Sequence, residues 1–245
     1  MVALGFLTLI PVPKRLHVDG KKLAGSTCFF PACGLVLGVL SACLNTLSSQ
    51  VLPLPLADML TLLFLFLITG GLHTDGLADT FDGVLSGKGQ GAVRAIMKDS
   101  RLGAHGAMAL FFVLLIKLYS LNSLSGGNKT AALLLMTTTG RWSVPVVGYF
   151  CRDPLNQDGL GAVFSGKITG AHLSIATAFF LPVSFFCAGI GGCLLISFII
   201  LVTSLGMKRF AEKKAGRVTG DVFGAIIELA EMMALLCSAA LLFQG

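Results

Sequence analysis

The chain has 245 residues, of which 12% are charged and 55% hydrophobic, with a mean hydropathy of +0.86 and a net charge of +6. Soluble domains carry about 25% charged residues, so a water-soluble globule is strongly disfavoured and a polytopic membrane protein is indicated. Two Tyr, one Trp and no long alternating polar and apolar segments argue against a transmembrane barrel and leave an all-α architecture.

The first twelve residues are apolar but lack a preceding basic region and break at Pro11 and Pro13, which reads as an interfacial segment and not as a cleaved signal peptide. A spanning helix needs about 20 apolar residues. Seven candidate spans follow along the chain at 28–52, 56–72, 104–124, 131–150, 173–190, 191–207 and 222–242. The fifth and sixth come from one long apolar stretch, split at Gly189-Ile190-Gly191-Gly192 as a tight hairpin. The seven cysteines form no C-x-x-C pair and read as small apolar residues, with neither disulfides nor zinc implied.

Short cytoplasmic loops retain Lys and Arg. With these spans, 15 of the 18 basic residues fall on one side. They are Lys14, Arg15, Lys21, Lys22, Lys88, Arg94, Lys98, Arg101, Arg152, Lys167, Lys208, Arg209, Lys213, Lys214 and Arg217. Lys129 lies opposite them, and Lys117 and Arg141 fall inside spans. The N-terminus is therefore expected in the cytoplasm, and residues 1–245 form a single transmembrane catalytic domain with active-site segments at 73–103 and 208–231. The positive charge then reflects topology and attraction to anionic lipid, and no nucleic-acid partner is expected.

Of the acidic residues, only Asp58 is expected on the outer side. The densest cluster is Gly70-Gly71-Leu72-His73-Thr74-Asp75-Gly76-Leu77-Ala78-Asp79-Thr80-Phe81-Asp82-Gly83. Asp75, Asp79 and Asp82 stand at i, i+4 and i+7, one face of a helix. Like charges at that spacing repel, so a neutralising cation is expected, and carboxylate oxygens suit Mg²⁺ or Mn²⁺. A solvated acidic face is the bland alternative, weakened because no Lys or Glu accompanies the aspartates. His73 is a candidate for orienting a phosphate or a carboxylate, whereas His17 and His172 read as interfacial.

The segment Arg94-Ala-Ile-Met-Lys98-Asp99-Ser100-Arg101 is basic with one carboxylate, and Lys98 and Arg101 can clamp phosphate oxygens, with Asp99 beside them. A second acidic group is Asp221, Glu228 and Glu231. Ionisable groups within a span normally face an interior cavity, so Glu228 and Glu231 either contact a ligand or pair with Arg141 or Lys117.

The strings GGLHTDGLADTFDGV, RAIMKDSRLGAHGAMAL and TGDVFGAIIELAE, in that order, resemble the signature segments of the cobalamin synthase family, the adenosylcobinamide-GDP ribazoletransferases. FLTLIPVP, FFPACGLVLG and GLGAVFSGKITG extend the likeness over nearly the whole chain. The resemblance implies a Mg²⁺-dependent enzyme of the cytoplasmic (inner) membrane. It would join adenosylcobinamide-GDP to α-ribazole or its 5′-phosphate with release of GMP, at the last stage of nucleotide-loop assembly in vitamin B12.

Carried onto these positions, Asp75, Asp79 and Asp82 would hold the metal and diphosphate, with Asp82 also accepting the hydroxyl proton. Lys98 and Arg101 would neutralise the departing phosphate, and Asp221 with Glu228 would complete a second metal position or bind ribazole. Self-association is left open. Two rival functions are a CDP-alcohol-type phosphotransferase, whose aspartate spacing differs from that seen here, and an ion-coupled transporter using Glu228, Glu231 and Arg141 as a relay.

Overall fold

In the computed structural model, residues 1–12, 20–151 and 159–242 are described; Lys14, Arg15, His17 and Arg152 lie outside them. The described residues form helices and turns, with no strand among them. In chain order the α-helices are α1 (Val2–Leu7), α2 (Gly20–Ser26), α3 (Phe30–Ser48), α4 (Leu54–Ile68), α5 (Leu72–Val84) and α6 (Gln90–Ile96). They continue with α7 (Ala104–Asn122), α8 (Gly126–Phe150), α9 (Leu160–Phe164), α10 (Gly170–Ala215) and α11 (Gly220–Leu242).

Four stretches, Gly20–Ser48, Ala104–Asn122, Gly170–Ala215 and Gly220–Leu241, are long and apolar enough to cross a membrane. The bent pair of α4 and α5 makes a fifth if taken as one span. The sequence reading expects more crossings because it splits the longest stretch and adds the span at 131–150. At Gly189 the backbone of α10 leaves helical geometry (φ 67°, ψ −178°). A straight helix of 46 residues would reach about 69 Å at 1.5 Å per residue, yet both ends of α10 meet the same end of α8. An added Cβ at Gly170 would touch Tyr149, and the charges of Lys208 and Glu212 act on Cys151. The two limbs therefore fold back at the glycines expected to form a hairpin.

Helix α8 is the central post, buried along almost its whole length from Lys129 to Gly148. Its hydropathy is lowered by threonines, Lys129 and Arg141, a pattern tolerable where neighbouring helices replace lipid. α3 approaches it backbone to backbone: a Cβ on Gly34 would lie 2.4 Å from the Thr137 carbonyl oxygen, and one on Gly38 would lie 2.9 Å from Leu134 Cα. On another side Trp142 stacks on Phe180 of α10 at 4.2 Å between ring centroids and donates to Thr177 Oγ1 at 3.0 Å. Outward-facing residues of α7 and α10, among them Phe111, Phe112, Phe186, Leu194 and Phe198, are exposed, an apolar surface that suits contact with acyl chains.

The first apolar residues pack partly inward, with Ala3 and Leu7 buried and Met1 and Leu9 exposed. Leu7 is fully buried, Leu9 donates its N–H to the Ile68 carbonyl at 2.8 Å, and Phe6 stacks on Phe30.

Between α4 and α5, Gly70 and Gly71 take positive φ angles of 64° and 68°, and the axis turns by 87°. An L side chain there is strained, so this corner needs glycine. With α4 running across the bilayer, this turn lays α5 roughly parallel to the membrane plane, and α5 is not one of the four stretches able to span on their own.

The lone outer charges of the sequence reading meet. Lys129 and Asp58 pair at 2.8 Å, both buried, and Asn45 and Asn122 also donate to the Asp58 carboxylate.

Candidate functional site

The end of the molecule opposite that pair collects α5, α6, α9 and the start of α11. Its organising contact is the crossing of α5 over α11. A Cβ on Gly76 would sit 2.7 Å from the Asp221 carbonyl oxygen and 3.2 Å from Gly224 Cα. This approach brings Asp75 and Asp79 of α5 alongside Asp221. Gly76→Val should push the helices apart, costing about 1–3 kcal/mol as overpacking does and lowering both thermal stability and any activity that needs these carboxylates together. A variant with unchanged melting temperature and turnover would show that the crossing is adaptable.

Burial pushes the Asp79 carboxyl up to about 6, helped by the neighbouring charges of Asp75, Asp221 and Asp82. Asp75 is exposed and Asp79 and Asp221 are half-buried, so the group borders solvent. Thr219 donates to Asp221 Oδ2 at 3.2 Å and accepts from the Val222 N–H at 3.4 Å, fixing the entry to α11.

Asp82 is placed differently from its two helical companions. It is buried, and its carboxylate accepts the N–H of Gly103 at 2.7 Å and of Gly106 at 2.8 Å. It ties α5 to the N-terminus of α7, where a carboxylate also meets the positive end of the helix dipole. Glycine is required at both positions, because an added Cβ would lie 2.3 Å from Asp82 Oδ1 at Gly103 and 2.4 Å from Asp82 Oδ2 at Gly106. Asp82→Ala should cost about 1–3 kcal/mol, the scale for leaving such donors unpaired, read as a lower melting temperature; an unchanged one would sink the capping role.

Arg101 and Asp99 hold each other. Arg101 donates to Asp99 at 2.6 Å, with 87% of the arginine side chain exposed. Hydrogen bonding from Arg101 draws the Asp99 carboxyl down to about 2. Lys98, by contrast, lines a cavity of about 340 Å³ with Arg94, Arg217, Gly161, Thr219 and Asp221.

Within the helical bundle, Glu228, Glu231, Lys117 and Arg141 are all buried and form a single network. Lys117 donates to Glu228 at 2.5 Å and to Glu231 at 2.6 Å, and Arg141 pairs with Glu231. Mutual pairing, one of the two expectations for these residues, is present. Their formal charges cancel, which is how four ionisable groups can be accommodated in such surroundings. His73 is also buried, and its Nε2 has no hydrogen-bond partner among the described residues. It borders this network across a cavity of about 30 Å³, room for a water.

His73 also borders a second cavity, of about 60 Å³, with Asp75, Asp221, Phe6, Phe30, Phe164 and Phe223 in its wall. The phenylalanines contact one another edge to face or stacked, with centroids 5.4–6.0 Å apart. Sequence reasoning passed over this aromatic wall and Arg217. The phenylalanines come from α1, α3, α9 and α11, and no local pattern announces that four distant apolar residues will converge.

No group of three His, Cys, Asp or Glu among the described residues is gathered tightly enough to enclose a metal ion. Mg²⁺ does not need such a cage, because it keeps several waters and takes one or two carboxylates plus substrate phosphate. Asp75, Asp79 and Asp221 supply hard oxygen donors whose mutual repulsion a cation would relieve, so the residues fit one.

Fold and site together define an all-α membrane protein with carboxylates, cations and an aromatic wall gathered at one end. The family model for cobalamin-5-phosphate synthase (CobS) matches residues 1–239, and the chain belongs to that family. Among curated relatives, an adenosylcobinamide-GDP ribazoletransferase of Geotalea daltonii is 35% identical, covering 98% of this chain and 96% of the relative. A protein of the same name from Thermoanaerobacter pseudethanolicus is 30% identical, covering 97% and 95%. No solved structure matches the chain significantly.

Proposed function

We propose that this protein joins adenosylcobinamide-GDP to α-ribazole, or to α-ribazole 5′-phosphate, and releases GMP. The observation that carries the reading is family membership over residues 1–239 together with the convergence of Asp75, Asp79 and Asp221 beside a cavity lined by Lys98.

In the reaction the ribazole 3′-hydroxyl oxygen bonds to the phosphorus carried by cobinamide. The bond from that phosphorus to the bridging oxygen breaks, its electron pair leaves with GMP, and the hydroxyl proton passes to a carboxylate of the cluster and on to water. A magnesium ion held by one or two of the carboxylates Asp75, Asp79 and Asp221, with substrate phosphate completing its shell, would neutralise phosphate charge. Lys98 offsets charge on the departing phosphate. Asp82, with both oxygens committed to α7, positions residues 103–106 on this reading. Asp99 and Arg101 shape the adjoining loop, and the network of Glu228, Glu231, Arg141 and Lys117 fixes α11, and with it Asp221.

The protein belongs on this reading to the inner membrane, with α5 and α6 facing the cytoplasm. The support is the concentration of 15 of the 18 basic residues on that side. Seven crossings are proposed, counting α3, α4, α7, α8, both limbs of α10 and α11.

The test is chemical. Purified protein with Mg²⁺ should release GMP from adenosylcobinamide-GDP only when α-ribazole is supplied, and chelation should stop it. Release without the acceptor, or none with it, would overturn the proposal.

A further inference from the structure

The 340 Å³ cavity between α6, α9 and the segment leading into α11 falls in the size range of small-molecule sites, about 300–1,000 Å³. Three cations line it: Arg94, Lys98 and Arg217. Arg94 is already engaged, donating to the Ala215 carbonyl at 2.7 Å and so clipping α6 to the end of α10. Neither Lys98 nor Arg217 has a hydrogen-bond or ion-pair partner among the described residues, and Arg217 is half-buried. Asp221 in the same wall feels the charge of Lys98, but one carboxylate does not balance three cations, and the surplus positive charge favours an anion in the opening.

The walls holding these cations are locked together. A Cβ on Gly161 would lie 2.5 Å from the Val218 carbonyl oxygen, so α9 and the Arg217 segment pack backbone to backbone. At the far wall stands Asp221, which is shared with the aromatic cavity. Asp221, with Leu160 and Gly220, thus lines both the cationic chamber and the aromatic one. A charged leaving group is best stabilised where the cations stand.

We infer that the cationic chamber receives the departing nucleoside monophosphate and that Arg217, with Lys98, clamps its phosphate. This deepens the function proposed above and rests on it. Arg217 supplies the planar fork that matches phosphate oxygens, the role the sequence assigns to Arg101. Arg101 instead spends its guanidinium on Asp99.

The experiment uses the full chain purified in detergent with Mg²⁺, with GMP as the inhibitory probe. Arg217→Gln should raise the GMP inhibition constant and the KM for adenosylcobinamide-GDP by about tenfold each, the scale for one charged contact. The KM for α-ribazole should stay within about twofold, Arg217→Lys should recover part of the loss, and Lys88→Gln on the exposed loop should match the wild type. If Arg217→Gln does not elute as a monodisperse peak, Lys98→Gln carries the same expectation. The inference is overturned if an active, folded variant retains wild-type GMP inhibition, or if the KM for α-ribazole rises instead. A wild-type protein that never releases GMP sinks the underlying function, a distinguishable result.

Discussion

Asp79→Asn is expected to leave the protein folded in the membrane and to lower transfer activity by about 10²-fold or more, the scale for losing one electrostatic stabiliser of a transition state. The substitution keeps side-chain size and removes one charge from a group where Asp75, Asp221 and burial already work against ionisation. Because the folded-state value, about 6, lies above the ordinary value of an aspartate, ionising this group weakens the fold. In chelator, therefore, the wild type should gain stability as pH falls through about 6 towards the unfolded value near 3.9, and the variant should lack that gain. Melting temperature at neutral pH without metal should be equal or higher in the variant, a stability–activity trade-off expected of a site held under repulsion. Wild-type turnover in Asp79→Asn would refute a role in holding the cation.

The second large effect is on stability. Glu231 accepts from Lys117 and from Arg141 in a region where all three are buried. Glu231→Gln removes one negative charge and leaves two cations facing Glu228 alone, a change of about 3–5 kcal/mol. For a chain of this length that is a melting-temperature loss of roughly 6 °C or more. Arg141→Met combined with Glu231→Leu should recover most of it, because the Lys117–Glu228 pair at 2.5 Å stays neutral and apolar replacements of similar volume avoid the desolvation cost. If the single change melts like the wild type, the network contributes nothing and the proposed anchoring of α11 fails with it.

These two residues show what the sequence reveals. Asp79 is legible because helical periodicity is local: the spacing from Asp75 to Asp79 fixes a shared face whatever surrounds it. The same periodicity puts Asp82 on that face but does not reveal what its carboxylate binds. Its reach to the N–H groups of Gly103 and Gly106 depends on how α7 docks, which no spacing within α5 encodes. The hairpin at Gly189 is readable from clustered glycines, and the pairing of Glu231 with Arg141 from the cost of lone charges in an apolar setting. The pairing of Asp58 with Lys129 follows from the same rule, since each is the only outer charge of its sign. Arg217 is hidden in a basic loop that topology alone explains, and only the cavity beside it separates it from Lys213 and Lys214.

The crossing at Gly76 also bears on how the protein is made. Asp221, Glu228 and Glu231 all arrive on α11, whereas the residues they meet, Asp75, Asp79, Lys117 and Arg141, are synthesised earlier. Until α11 inserts, Lys117 and Arg141 lack the carboxylates they pair with, and the carboxylates of α5 lack Asp221. A chain that lacks α11 is therefore expected to be inert and to carry unpaired buried charge, so that insertion of α11 and acquisition of competence become one event.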